Sequence, residues 1–107
     1  MKSNKIYLEH IKSCLDEIDS YDLSYEKLTE NSMVYNATLR VLQVMTESLT
    51  KLSDDLKARN KIIDWAKIKG FRNIVVHEYL GNLDHDILWN IISYELHDIR
   101  KIVDKEL

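Results

Sequence analysis

The sequence has no proline and only two glycines among its 107 residues. A multi-stranded sheet needs turns roughly every eight to twelve residues, marked by Gly, Pro or Asn-Gly. Those marks are missing, so an all-β fold is excluded and a mixed α/β fold is disfavoured. Cysteine is nearly absent too. The single Cys14 can form no internal disulfide, which argues against a secreted, disulfide-built scaffold and favours a reducing cytoplasm. The longest uninterrupted apolar run is three residues, as at Ile74–Val76, too short for a bilayer span or a signal-peptide core. Four scattered histidines and one cysteine show no zinc-ligand spacing. No metal or cofactor is therefore expected.

What is present fits a small folded domain. Hydrophobic residues make up 45% and charged residues 31%, too apolar for a disordered chain. A core of this size is modest, so association with a second copy is a natural supplement. The net charge is −3 and the pI about 5.8, against a general nucleic-acid coating protein, which would be basic. The charge is uneven, however. Lys57, Arg59, Lys61, Lys67, Lys69 and Arg72 face one acid, Asp64, within 57–72, so this stretch is +5 and the remainder −8. Such a stretch is either a solvated helix face or a local phosphate-binding patch.

Apolar periodicity gives helices throughout. Tyr7, Leu8, Ile11, Cys14, Leu15 and Ile18 predict a first helix from Ser3 or Asn4 to Ser20, capped by one of those two residues. Ser24–Lys27 predicts a short helical turn. A near-heptad stripe from Val34 through Val41, Leu42, Met45, Leu49 and Leu52 to Leu56 predicts one long helix over Ser32–Ala58. Asp64 caps a third helix running to Leu80, with Gly81 past its end and Gly70 inside it as a sign of close backbone approach or distortion. A last helix over Asp84–Lys105 turns Ile87, Leu88, Ile91, Ile92, Leu96, Ile99 and Val103 inward. Short links make sequential helices antiparallel neighbours, so the expected fold is an all-α, up-down bundle of four or five helices in a single domain over 1–107.

Chemistry concentrates in Lys67–Leu80, where an arginine, an asparagine, a histidine and a tyrosine gather beside the basic stretch. Asn73 and His77 are four apart and share a helix face. Arg72 and His77 are five apart, about 140° around an ideal helix axis. Their tips converge only if Arg72 reaches round, if the helix bends near Gly70, or if a second subunit completes the site.

These residues resemble the HEPN superfamily, and within it the HepT-like toxins found beside minimal nucleotidyltransferase antitoxins. The family motif R-x-x-x-x-H-x-Y reads here as Arg72-Asn73-Ile74-Val75-Val76-His77-Glu78-Tyr79. Arg40–Ser48 stands where the family has an arginine followed by Gly-Glu-Ala, with Thr46 and Ser48 replacing the small residues around Glu47. Trp65 precedes the motif, preceded by Asp64 in place of the usual proline. Asp84 and Trp89 follow it at the family's distances.

The resemblance implies a cytoplasmic homodimer with metal-independent endoribonuclease activity. Arg72 and His77 would be the catalytic pair, Asn73, Lys69 and Glu47 supporting residues, and Tyr79 the site at which a nucleotidyltransferase antitoxin transfers AMP. Histidine suits proton transfer near neutrality because its reference pKa is about 6.5. Arginine suits phosphate because its planar fork matches two oxygens and stays protonated. The rival reading is a non-catalytic helical subunit that docks a nucleotidyltransferase or a nucleotide; a further one is a structural dimer whose motif only shapes the interface. Residue by residue, Arg72 could instead pair with Glu78 or Asp64, Glu47 with Lys51 at i+4, and Tyr79 could simply pack. Trp65, Trp89 and Cys14 are expected in the core, and His10, His85 and His97 in solvent.

Overall fold

A computed structural model describes residues 3–77 and 85–107, with the backbone alone at residues 71 and 74–77. Among these residues every regular element is helical: α1 (Asn4–Ser20), α2 (Tyr25–Glu30), α3 (Ser32–Thr50), α4 (Asp54–Arg59), α5 (Trp65–His77), α6 (His85–Asn90) and α7 (Leu96–Glu106), the last two joined by a π turn at Ile91–Glu95. The all-α bundle expected from the sequence is the fold observed. Helix α3 packs against both α1 and α5, and α7 packs on the other flank of α1. The core between them is aliphatic, with Leu8, Ile11, Leu42, Met45, Leu49, Leu88 and Val103 fully enclosed and Cys14 among them. No described helix is long and apolar enough to cross a membrane.

Local polar residues set the helix starts. Ser24 Oγ accepts from Lys27 N at the head of α2, Asn31 Oδ1 accepts from Met33 N and Val34 N at the head of α3, and Asp64 Oδ1 accepts from Lys67 N at the head of α5. Each satisfies backbone donors that have no partner within the helix. Helix α1 differs from expectation: Ser3 makes no side-chain cap, and Asn4 is used elsewhere.

The long helix predicted over Ser32–Ala58 is interrupted. It ends at Thr50 and restarts at Asp54 with Ser53 Oγ accepting from Leu56 N. Asn4 fixes this break from α1: its Nδ2 donates to Ser53 Oγ at 2.9 Å, and its Oδ1 accepts from Ser53 N at 2.9 Å. The apolar stripe runs on through the break, since Leu49, Leu52 and Leu56 are all buried. Periodicity alone therefore cannot reveal it. A residue from a segment forty-nine positions away supplies the alternative partner.

Two inward assignments also change. Ile87 is 49% exposed, and Ile92 is only partly buried. The buried positions of the last rod are Leu88, Ile91, Leu96, Ile99, Ile102 and Val103. The step from Ile91 to Leu96 is five residues, and the π turn absorbs the extra one so that both stay inward. Trp65 and Trp89 pack against the core without being enclosed.

Candidate functional site

Arg72 lies on the exposed side of α5, where α5 packs against α3. Its Nε donates to Glu47 Oε1 at 2.6 Å, and both side chains keep 38% of their surface exposed. This pairing replaces the local ones. Asp64 is eight residues from Arg72, about 12 Å along a helix axis, and Glu78 lies outside the described residues. Glu47 turns from Lys51 to Arg72 because helix packing sets its carboxylate beside the guanidinium. A planar fork held by a carboxylate has a defined orientation and retains further N–H donors for a second anion.

Beside Arg72 is an open recess of about 330 Å³ lined by Thr50, Lys57, Trp65, Ile68, Lys69 and Arg72. Three of these are cationic and none is acidic. Lys57 is held twice: its Nζ donates to the Thr50 carbonyl at 3.0 Å and lies 5.9 Å from the Trp65 ring centroid. The indole is fixed in turn, because its Nε1 donates to the carbonyls of Lys57 and Asn60, each at 3.1 Å. Trp65 is thus a wall of this recess as well as a packing residue.

The rest of the basic stretch is largely spent on structure. Arg59 grips Glu106 with two nitrogens, Nε to Oε2 at 2.9 Å and Nη2 to Oε1 at 2.6 Å. Asn60 Nδ2 adds a bond of 2.8 Å to the same carboxylate. Arg59, then Asn60, holds the Glu106 carboxyl down to about 2. Lys67 pairs with Glu95 at 2.7 Å, and that carboxylate raises the Lys67 ammonium above its usual value. Of the six cations, Lys57, Lys69 and Arg72 are those that line the recess.

On the far side of Glu47, between α1 and α3, a second recess of about 400 Å³ is lined in part by His10, Arg40, Glu47, Ser48 and Lys51. His10 is exposed as expected, but its Nδ1 is hydrogen-bonded to Ser48 Oγ at 2.6 Å. Thr46 is enclosed, with its hydroxyl donating to the Gln43 carbonyl. The two residues that flank Glu47 therefore fit the packing without leaving their hydroxyls unsatisfied.

Of the sequence-predicted site residues, Arg72, Glu47 and Lys69 come together. Asn73 is exposed and stands outside the recess. His77 is the last residue of α5, and its imidazole is outside the described side chains. Tyr79 and Gly81 lie outside the described residues. Helix α5 continues through Gly70, and among the described residues a Cβ built there meets nothing within 4 Å, so close approach does not explain that glycine. Arg72 and His77 both lie on this one helix, where an ideal geometry sets them about 140° apart around the axis. Lys57 belongs to the basic stretch but is not among the expected site residues, and Thr50 is not singled out by the sequence at all. They precede the motif by many positions, and only the packing of α3, α4 and α5 brings them to it.

Comparison with known proteins adds an independent line. Residues 11–106 match the family described as "Ribonuclease HepT-like". Putative RNase MJ0125 of Methanocaldococcus jannaschii is 29% identical over 103 residues, covering 94% of this chain and 88% of that protein. Putative RNase MJ1380 of the same organism is 26% identical, covering 94% and 93%. Putative RNase TTE0752 of Caldanaerobacter subterraneus subsp. tengcongensis is 28% identical over 109 residues, covering 100% and 96%. No solved structure matches the chain.

Proposed function

The chain belongs to the HepT-like ribonuclease family, and from that premise we propose that it is a metal-independent endoribonuclease toxin acting as a homodimer. Arg72 grips the scissile phosphate and offsets charge developing on its non-bridging oxygens. His77 takes the proton from the ribose 2′-hydroxyl. The 2′-oxygen then attacks phosphorus, the P–O5′ bond breaks, and a protonated imidazole returns a proton to the 5′-oxygen. The products are a 2′,3′-cyclic phosphate and a 5′-hydroxyl. His77 of each protomer divides the base and acid roles, which answers the angular offset on α5. DNA, lacking the 2′-hydroxyl, is not cut. Asn73 orients the phosphate or His77.

The observation that carries this reading is Arg72 itself: a half-exposed guanidinium oriented by Glu47 at the rim of a recess whose charged lining is wholly cationic. Restraint belongs to the same proposal. A nucleotidyltransferase antitoxin transfers AMP from ATP to Tyr79, releasing pyrophosphate, and the added phosphate repels RNA. The decisive assay is RNA cleavage in EDTA by the wild type and His77→Ala, with the fold checked by circular dichroism. Cleavage confined to the wild type supports the proposal; equal cutting by both refutes it. Tight binding of a nucleotidyltransferase with no cleavage under any condition would make the chain a docking subunit instead.

A further inference from the structure

We propose that the recess beside Arg72 is a second phosphate subsite, which holds the phosphodiester next to the scissile one in a single-stranded RNA, with Lys57 as its principal contact. The inference rests on the reading of Arg72 as the residue at the scissile phosphate. Its own support is the construction of the recess.

Lys57 projects from α4, outside the motif helix, yet its ammonium reaches the space bordered by Arg72 and Lys69. A lysine normally loses much rotamer freedom when it grips an anion. Here part of that ordering exists beforehand. The Thr50 carbonyl accepts one of its three N–H donors and the Trp65 face attracts the charge. Two hydrogen bonds from the indole N–H keep the ring in place.

Charge points the same way. Arg59 and Lys67, from the same stretch, are matched by Glu106 and Glu95. Lys57 and Lys69 form no ion pair among the described residues, and no carboxylate lines their recess. The local excess on a net-negative chain therefore sits beside the proposed catalytic arginine, where a polyanionic strand would leave it. A phosphodiester is favoured over a carboxylate ligand because three cations from two helices surround one open volume, and phosphate offers several oxygens to share among them. Lys57 touches no reacting atom in this scheme; it sets strand register.

The test measures binding apart from cleavage. The full chain bearing His77→Ala is titrated with a ten-residue oligoribonucleotide over a salt series. Lys57→Met and Lys57→Arg are compared with it in that background, after circular dichroism and thermal unfolding have checked the fold. Each phosphate contact on a single strand contributes a slope of about −0.7 in log affinity against log salt. Lys57→Met should flatten the slope by about that amount and weaken binding several-fold, and Lys57→Arg should restore both. Combining Lys57→Met with Lys69→Met should flatten the slope by about 1.4.

An unchanged slope and affinity in folded Lys57→Met overturns the proposal. So does a loss that Lys57→Arg fails to restore, which would mark a structural role. ATP and inorganic phosphate serve as separate arms. Saturable, Lys57-dependent binding of either at concentrations comparable to the oligonucleotide would assign the recess to a free ligand and overturn the strand subsite. The parent reading fails separately: a wild type that cuts no RNA but binds it with a Lys57-dependent slope refutes the nuclease, and with it the scissile neighbour, while the recess remains an RNA phosphate site.

Discussion

Replacing Glu47 by Gln removes the charge that orients Arg72 and leaves a side chain of nearly the same shape. The Nε–Oε1 separation is 2.6 Å, and each side chain is 38% exposed. A fully buried pair broken on one side would cost several kcal/mol because a bare charge would remain. Here solvent reaches both groups and screens them, so the pair contributes only about 0.5–1 kcal/mol. For a chain of this size that corresponds to a fall in Tm of about 2–8 °C. The suitable assay is a double-mutant cycle of Glu47→Gln and Arg72→Gln, followed by urea unfolding at low salt and again at 1 M salt. A coupling of about 0.5–1 kcal/mol is expected at low salt. It should shrink at 1 M, where the Debye length is about 3 Å. Zero coupling at low salt would mean the two side chains do not meet in solution. A coupling above about 3 kcal/mol that ignores salt would mean a buried pair. Either result refutes the argument. Glu47→Gln should also lower kcat/KM for RNA about five- to tenfold, since a loss of about 1 to 1.4 kcal/mol in transition-state stabilisation has that effect.

Two further outcomes follow from the packing. Glu106, held at about 2 by Arg59 and Asn60, has a folded-state pKa below its unfolded value, so its contribution is present above about pH 4.5. That contribution is lost as pH falls through about 2. Glu106→Gln should therefore be less stable than wild type at pH 6, and the difference should close between about pH 4.5 and 2 when both are unfolded in urea; a gap that persists at pH 2 would contradict this. Leu42 is fully enclosed where α3 meets the core, so Leu42→Ala should cost about 2–5 kcal/mol, read from the same unfolding curves. A cost under about 1 kcal/mol would show that the site is not packed as described.

Most local properties were legible in the sequence, the cap expected of Ser3 or Asn4 on α1 being the exception. Ser24 opens α2 and Asp64 caps α5 as the sequence indicated, because a cap needs only a short polar side chain at the right backbone angle. The apolar stripes of α1, α3 and α7 place most of the core. The break at Lys51–Ser53 was not legible, because Leu49, Leu52 and Leu56 keep an unbroken stripe across it. The π turn was hidden likewise, since one inserted residue looks like ordinary scatter in a 3.6-residue period. In the candidate site, motif spacing marked Arg72 and the basic stretch marked Lys69. The stretch included Lys57 as well, but nothing in it showed that Lys57 rather than Arg59 or Lys67 reaches the recess, or which partner Glu47 takes.

By itself the sequence determined the helical class and the residue types available for phosphate chemistry, since these follow from composition, periodicity and short-range spacing; the family came from the resemblance of its motif. Tertiary structure alone decided which charges cancel. Arg59 and Lys67 are matched by acids from the C-terminal rod, 47 and 28 residues away in the chain. Arg72 is aimed by a carboxylate from α3, and Lys57 is carried to its side by α4. The physical reason is that Coulomb and hydrogen-bond energies depend on separation in space, and only helix packing sets that separation for residues far apart in the chain.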